Sequence, residues 1–261
     1  MRLSCVTASY VGEVLGYPGD LEWGRAMALM AQGPLLETIE GILARLAPAR
    51  LDGIEFFFPH IAPTSITPAL ATGVARRLEE RGMACCACAG GLPDPAHDPW
   101  GCAALFQTAR LLEAPLIAGH IHVQALAPLS AMCRRFGVRV AYENGSERDA
   151  RQMLAAVGGG DEWVGMNIDT GNMAAQGGDP VRAIYELGSR IMHVHFKDVP
   201  AVGSHDCVAL GQGIVDIPAV VQALRDVGYD GWLSIEIETG DHDPTDEIVE
   251  SAQTLRRLLD R

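Results

Sequence analysis

The sequence is poor in lysine, in long apolar runs and in clustered basic residues. Lys197 is the one lysine in 261 residues, and every other cationic side chain is an arginine. No group of arginines is dense enough to form a basic patch, and the formal net charge is −13 at pH 7. Such a chain repels phosphate backbones and anionic lipids, so we expect neither a nucleic-acid partner nor a membrane partner. No apolar stretch reaches the roughly 18 residues of a membrane-spanning helix.

Signals for export and for disulfide stabilisation are also missing. The N-terminal residues become polar and glycine-rich before an apolar signal segment develops, so we expect a cytoplasmic protein. Seven cysteines are present, but no second cysteine pair or histidine cluster accompanies the Cys85 and Cys88 pair. We therefore expect free thiols, as in a reducing compartment. No G-x-G-x-x-G motif follows the first predicted strand, which disfavours a dinucleotide-binding protein.

Short apolar runs alternate with segments of helical period along the chain, the pattern of repeated βα units. Eight runs are predicted as strands: Leu3–Ala8, Gly53–Phe58, Met83–Ala89, Leu116–Ala118, Val138–Glu143, Val164–Asp169, Ile191–Lys197 and Trp232–Glu238. Eight strands in a chain of this length favour an α/β fold that closes as a (β/α)8 TIM barrel over an open sheet. No domain boundary is visible, so we predict that residues 1–261 form a single barrel domain. The long crossover after the first strand is expected to cover the barrel mouth.

Four polar residues lie at the carboxyl ends of predicted strands, where barrels of this kind carry their active sites. They are Glu143, Asp169, His195 and Glu236. Glu143 and Asp169 are 26 residues apart, as are Asp169 and His195, so successive strands would deliver these side chains to one height. Buried carboxylates repel one another strongly unless a cation lies between them. Oxygen-rich ligation with a single nitrogen predicts a divalent metal, with Mn²⁺ preferred and Mg²⁺ or Co²⁺ as alternatives.

The residues alone leave alternatives open. Because side chains alternate along a strand, His193 is equivalent to His195, and Glu238 is equivalent to Glu236. The strand-end groups could also be separate solvated charges or helix N-caps. Glu55 lies among aromatic residues and needs a partner if it faces the barrel. It is predicted as a substrate-binding group, with a structural carboxylate as the alternative.

Six segments together resemble the xylose isomerase-like (β/α)8 superfamily, which contains sugar isomerases and epimerases, inosose and dehydroshikimate dehydratases, and abasic-site endonucleases. The segments are Gly53-Ile54-Glu55, Tyr142-Glu143-Asn144, Asp169-Thr170-Gly171-Asn172, His195-Phe196-Lys197-Asp198, Gly211 to Asp216, and Gly228 to Glu236. The resemblance covers nearly the whole chain, and it implies that Glu143, Asp169, His195 and Glu236 are the metal ligands. It also implies that Glu143 and Glu236 exchange protons with a substrate whose carbonyl is bound to the metal.

Two positions depart from the ketose 3-epimerase branch of this superfamily. Asn172 stands where those enzymes have the histidine of an Asp-x-x-His motif, and Ala201 replaces an arginine beyond the metal histidine. Both departures argue against a free-ketose 3-epimerase. Other branches share the pair Lys197 and Asp198, with the lysine placed to hold a substrate oxygen; a salt bridge at a loop start is the alternative. The predicted substrate-binding residues are Glu55, Asn172, Lys197, Asp198 and His205.

The predicted function is a divalent-metal-dependent isomerase or epimerase that abstracts a proton next to the metal-bound carbonyl of a keto-sugar or related polyol. One alternative is a metal-dependent lyase or dehydratase acting on a keto-cyclitol or a 3-keto-glycoside. Another is a barrel subunit of such an enzyme that depends on a partner chain. An abasic-site nuclease would need a DNA-facing basic surface, which the net charge of −13 disfavours. We expect a homo-oligomer that takes a small carbohydrate substrate.

Overall fold

Eight parallel strands form a nearly closed barrel in the computed structural model, which describes residues 1–121 and 125–260. The strands are β1 Arg2–Cys5, β2 Gly53–Phe57, β3 Ala84–Ala89, β4 Leu116–Gly119, β5 Arg139–Glu143, β6 Val164–Asp169, β7 Ile191–Phe196 and β8 Trp232–Ile235. From β2 to β8, neighbours in sequence are neighbours in the sheet, and β1 pairs with β8. A single parallel bridge between Val6 and Glu55 links the end of β1 to β2. The prediction of a (β/α)8 barrel is confirmed.

The helices lie in the segments that connect the strands. Within the described residues the α-helices are α1 Trp23–Met30, α2 Leu35–Leu46, α3 Pro68–Glu79, α4 Pro99–Leu111, α5 Leu126–Phe136, α6 Ala150–Ala156, α7 Thr170–Ala175, α8 Pro180–Leu187, α9 Ile217–Asp226 and α10 Thr245–Leu259. Several begin where an aspartate caps the first turn: Asp179 accepts a hydrogen bond from the backbone N–H of Arg182 at 3.1 Å. No helix of the described chain is both long and apolar enough to cross a membrane.

Side chains on the strands alternate between the helix-facing core and the barrel interior. On β6 and β7, the members of the main apolar core are Val164, Met166, Ile168, Val194 and Phe196, together with Ile191 at the start of β7. The buried polar residues between them are Asn167, Asp169, His193 and His195. Because side chains alternate with a period of two, the apolar set packs under the helices while the polar set faces the other side of the sheet. This alternation is what carries titratable groups into the barrel.

Two strands end three residues before their predicted ends, and β2, β3, β5 and β7 are each one residue shorter than predicted. The chain leaves the sheet after Cys5 and forms a 3-10 helix over Thr7–Tyr10, and β8 ends at Ile235. The two segments are tied to each other by a side chain, since the backbone N–H of Ile237 donates to Ser9 Oγ at 3.1 Å. Glu236 therefore stands on a loop start, immediately beyond the strand that positions it.

Candidate metal centre and active site

Four strand-end side chains converge at the C-terminal end of the barrel. Glu143 is the last residue of β5, Asp169 is the last of β6, and His195 is next to last in β7. Glu236 follows the last residue of β8. The sheet register places Asp169 directly beside His195. All four residues are buried, and each offers a ligand atom within 4.8 Å of those of the other three.

Several polar atoms in this cluster lack a hydrogen bond. His195 Nδ1 lies 3.3 Å from Glu143 Oε1 and 3.0 Å from Glu236 Oε2. Asp169 Oδ2, His195 Nδ1 and Glu236 Oε2 are all buried, and none of them hydrogen-bonds to another described residue. Buried polar atoms normally make hydrogen bonds, so a set whose close contacts are ionic ones is compatible with a bound group. Three carboxylates with one imidazole fit a divalent cation that prefers oxygen ligands.

Two asparagines orient Asp169 within the cluster. Asn144 exchanges two hydrogen bonds with the Asp169 backbone, accepting from its N–H at 2.8 Å and donating to its carbonyl at 3.0 Å. The backbone N–H of Asn172 donates to Asp169 Oδ1 at 2.8 Å, and the Asn172 side chain donates to the carbonyl of Asn144 at 3.3 Å. With Oδ1 occupied in this way, Oδ2 is the oxygen that faces the cluster.

Lys197 is buried beside the same carboxylates. Its Nζ lies 3.2 Å from Asp169 Oδ2, 3.5 Å from Glu236 Oε2 and 3.0 Å from Glu238 Oε2. Burial alone would lower the pKa of Lys197, but the carboxylates, Asp169 first, hold that pKa well above its ordinary value. The ammonium is therefore charged. The salt bridge that was the alternative to substrate binding for Lys197 is therefore present. Its carboxylate partners belong to the site itself.

The ionisable groups of the cluster have shifted pKa values because each charge depends on its neighbours. Burial raises the pKa of Asp169 to about 6 and that of Glu238 to about 8, against the opposing charge of Lys197. Glu236 is also buried, but Lys197 and His195 hold its pKa below the ordinary value. Burial opposes the charged form of His195 as well, yet the carboxylates, Glu236 first, raise its pKa well above normal. In this buried cluster, positive groups such as Lys197 favour the charged form of the carboxylates, which burial alone disfavours.

Glu55 does not line the cavity at the barrel mouth and contacts two histidines instead. Its Oε2 lies 2.7 Å from His193 Nε2, and its Oε1 lies 3.2 Å from His195 Nε2. The exposed fraction of each of these residues is at most 1%. Burial would raise the pKa of Glu55, but the two histidines outweigh burial and hold the pKa below its ordinary value. The partner that the sequence required for this carboxylate is thus a histidine pair.

A cavity of about 360 Å³ adjoins the cluster. Its polar lining residues are His120, Glu143, Asn172, His195, Lys197, Glu236 and Glu238. Its apolar lining includes Trp23, Met27 and Phe57, and the Trp23 and Phe57 rings meet edge to face with centroids 6.3 Å apart. Trp23 and Met27 belong to α1, so the long crossover after β1 does border the barrel mouth.

A second cavity of about 350 Å³ shares part of this lining. The four residues common to both cavities are Trp23, Asn172, Lys197 and Glu238. His205 lines only the second, together with Ser204 and Asp206. A larger surface groove of about 500 Å³ lies beside α8 and contains none of the clustered metal-ligand candidates. Of these three cavities, only the first borders the metal-ligand candidates, and the second adjoins it through the four shared residues.

Asp198 is fully buried and lines neither cavity. Its Oδ1 accepts from the backbone N–H groups of Val199 and Val215 at 3.0 Å each. Its Oδ2 accepts from those of Gly211 and Gly213 at 2.9 Å each. Four accepted hydrogen bonds occupy the carboxylate, so Asp198 organises the segment after β7. The resemblance offers Asp198 as a substrate-binding residue, as the partner of Lys197 in a pair that other branches share.

The substitution Asp198→Asn is expected to destabilise the fold. An amide keeps one acceptor oxygen and presents its NH₂ group to two backbone donors, so we expect the free energy of unfolding to fall by about 3 kcal/mol in a urea titration. Asp206→Asn, an exposed aspartate in the same segment, is the control and should change stability by less than about 0.5 kcal/mol. Unchanged stability of Asp198→Asn with a raised KM would instead place Asp198 at the substrate.

Several lining residues were not among those predicted. Strand alternation makes Glu238 an alternative to Glu236, and both approach the cluster, Glu236 toward His195 and Glu238 toward Lys197. The signal for Glu238 was its two-residue spacing from Glu236. Trp23 and Met27 had no signal beyond the length of the crossover that contains them.

The architecture and the site together define a TIM barrel with a buried carboxylate and imidazole cluster at its catalytic end. The family model described as xylose isomerase-like TIM barrel matches residues 121–258, which is just over half of the chain. The chain belongs to that family. The resemblance stated from the sequence motifs is therefore confirmed.

Relatives among characterised proteins match parts of the chain. The rhizopine catabolism protein MocC of Rhizobium meliloti is 30% identical over 135 residues, which covers 43% of this chain and 41% of that protein. An inosose dehydratase of Lacticaseibacillus casei is 30% identical over 91 residues, which covers 29% of this chain and 30% of that protein. The chain thus matches less than half the length of these relatives.

Solved structures with this fold cover almost the whole chain. An L-ribulose 3-epimerase superposes with a TM-score of 0.70 at 20% identity, covering 99% of this chain and 94% of that one. The probable 3-DHS dehydratase AsbF of Bacillus anthracis superposes with a TM-score of 0.69 at 16% identity, covering 98% and 99%. At these identities the likeness establishes the fold alone.

Proposed function

We propose that this protein is a divalent-metal-dependent isomerase or epimerase that moves a proton next to the carbonyl of a keto-sugar or related polyol. One observation carries the proposal: three carboxylates and an imidazole converge in a buried cluster that borders an open cavity. The relatives support a carbohydrate substrate, because a matched curated protein is an inosose dehydratase and a structural neighbour is an L-ribulose 3-epimerase.

The four clustered residues would divide the work of the site. Glu143, Asp169, His195 and Glu236 would hold the ion, which when bound polarises a carbonyl oxygen and makes the adjacent C–H more acidic. Glu143 ends β5 and Glu236 follows β8, and β6 and β7 lie between these two strands, so the two carboxylates approach the cavity from different positions. A proton removed by one and returned by the other would invert a carbon centre. Lys197 would hold a substrate oxygen in the same cavity.

The charges around the cavity favour an uncharged substrate. No arginine lines either cavity in the described part of the chain, and Lys197 is already paired with three carboxylates. A phosphate or carboxylate on the substrate would meet Glu143, Glu236 and Glu238, and like charges at such distances repel. The Trp23 and Phe57 rings offer an apolar surface for the C–H face of a polyol ring. We therefore infer a neutral, unphosphorylated keto-polyol.

Elimination from a 3-keto-glycoside or keto-cyclitol is the second candidate function, and the second cavity favours it. A glycoside carries a leaving group beyond the reacting ring, and the adjoining 350 Å³ cavity offers a place for such a group. Ser204, His205 and Asp206 could accept or donate hydrogen bonds to its hydroxyls. Asn172 and Ala201, which depart from the ketose 3-epimerase pattern, are compatible with this reaction as well.

Solvent deuterium exchange tests the proposal. The Mn²⁺-loaded protein is incubated in deuterium oxide with ketoses, keto-inositols and 3-keto-glycosides, and each compound is followed by NMR. We expect deuterium to enter next to a carbonyl, and to stop entering after EDTA treatment. An isomeric product supports the first function, and a released leaving group supports the second. Tight Mn²⁺ binding without exchange in any compound would contradict both, and would favour a subunit that needs a partner chain.

A further inference from the structure

We propose that Glu55 is a positioning residue that, together with His193, fixes the ring of His195 toward the metal centre. The inference rests on the proposed metal centre, but it concerns this chain's own hydrogen bonds and its test does not depend on turnover. Glu55 lines neither cavity, so we do not expect it to contact the substrate directly.

The two ring nitrogens of His195 have different surroundings. Nδ1 faces Glu143 and Glu236 at 3.3 and 3.0 Å, and Nε2 faces Glu55 Oε1 at 3.2 Å. A carboxylate can only accept a hydrogen bond, so both nitrogens of the metal-free ring face acceptors. A bound ion would replace the proton at Nδ1, the nitrogen that faces the cluster, while the Nε2 proton stays on Glu55 and fixes the ring. Carboxylates that bind the outer nitrogen of a metal-binding histidine fix its tautomer and its orientation in this way.

His193 holds Glu55 in place. The second carboxylate oxygen accepts from His193 Nε2 at 2.7 Å, so each oxygen of Glu55 has its own imidazole. His193 and His195 are two residues apart on β7, and their rings meet edge to face with centroids 5.4 Å apart. Glu55 comes from β2, which is not a neighbour of β7 in the sheet, so the contact crosses the barrel interior. Rotation of the carboxylate would break both hydrogen bonds.

A competing interpretation is that Glu55, His193 and His195 form a metal site of their own, because their ligand atoms also lie within 4.8 Å of one another. Two observations disfavour it. Both oxygens of Glu55 are already hydrogen-bonded, to His193 Nε2 at 2.7 Å and to His195 Nε2 at 3.2 Å, and neither Glu55 nor His193 lines either cavity. The number of ions bound per chain separates the two interpretations.

The test is calorimetric titration with Mn²⁺ and Co²⁺ of the wild type, Glu55→Gln and His193→Gln. An amide cannot accept from both histidines, so Glu55→Gln should weaken metal binding by roughly 10- to 100-fold. It should also alter the visible absorption of bound Co²⁺, with one ion per chain in every case. His193→Gln keeps Glu55 and should show a smaller loss in the same direction, and it decides the matter if Glu55→Gln does not fold.

Glu147→Gln is the matched control, because Glu147 also accepts two hydrogen bonds, from the Tyr142 hydroxyl at 2.7 Å and the Gly145 N–H at 2.9 Å. Its metal affinity should equal that of the wild type. Wild-type affinity in both Glu55→Gln and His193→Gln would overturn the positioning role while leaving the metal centre intact. Loss of a second bound ion in Glu55→Gln would replace the positioning role with a second metal site. A wild type that binds neither ion would overturn the metal centre and this inference together.

Discussion

Glu143→Gln is expected to lower kcat/KM for proton exchange by roughly 10²- to 10⁴-fold, the usual contribution of a positioned general base. Glu143 is buried in the cluster and lines the cavity, so its carboxylate can reach both a bound ion and a substrate. Glutamine has nearly the same shape but cannot take up a proton, and its amide is a weaker metal ligand. The rate of deuterium incorporation next to the substrate carbonyl, measured by NMR, gives the effect directly.

Controls for this substitution separate the loss of a base from the loss of a charge. Glu162→Gln removes one negative charge from an exposed residue just before β6 and should leave the exchange rate unchanged. If one carboxylate removes the proton and the other returns it, Glu236→Gln should lower the rate of product formation to a similar extent. Exchange at the wild-type rate in Glu143→Gln, in protein shown to be folded, would exclude Glu143 as the base.

Lys197→Met is expected to impair both stability and catalysis. Removing the ammonium leaves Asp169, Glu236 and Glu238 without their shared cation, and breaking a buried ion pair on one side destabilises a protein by about 3 to 5 kcal/mol. We expect a loss of this order in the metal-free protein and a partial recovery on adding Mn²⁺. Because we propose that the ammonium holds a substrate oxygen, we expect its loss to lower kcat by roughly 10²- to 10³-fold. Urea titration with and without Mn²⁺ and steady-state kinetics measure the two effects.

Lys197→Arg should restore little of the stability or the catalytic activity that Lys197→Met loses. The guanidinium is planar and wider than an ammonium, and the lysine stem already packs against Gly171. A Cβ at Gly171 would lie only 2.8 Å from Lys197 Cβ and 2.9 Å from its Cδ, which shows how closely that segment approaches. Arg182→Met is the control, because it removes an exposed cation paired with Glu186 and should change stability by less than about 1 kcal/mol. Full activity in Lys197→Met would exclude a role for the ammonium at the substrate.

The sequence predicted the part of the site that strand periodicity controls. Parallel strands of a barrel deliver their last residues to one end, so Glu143, Asp169 and His195 could be placed together from their spacing alone. The choice between His193 and His195 could not be made in this way, because residues two apart face the same side of a strand. In the structure, His195 lies beside the carboxylates of Glu143 and Glu236, whereas His193 contacts Glu55.

Sequence patterns do not predict contacts between segments that are far apart in the chain. Glu55 meets His193 and His195 across 138 and 140 residues, and no local periodicity encodes such a contact. The resemblance offers Asp198 as a substrate group, as the partner of Lys197, whereas its four hydrogen-bond donors come from an irregular loop whose path no pattern predicts. Helix α1, in the long crossover after β1, supplies the Trp23 surface of the cavity, and a count of strands and helices cannot locate that surface.

The most direct test of the metal centre is a crystal structure of the protein grown with Mn²⁺, with anomalous diffraction used to locate the ion. We predict one strong anomalous peak at the C-terminal end of the barrel, in contact with Glu143, Asp169, His195 and Glu236. His195 should approach the ion through Nδ1 and keep Nε2 on Glu55. A saturated crystal with no peak at this cluster, or with its only strong peak elsewhere, would contradict the account.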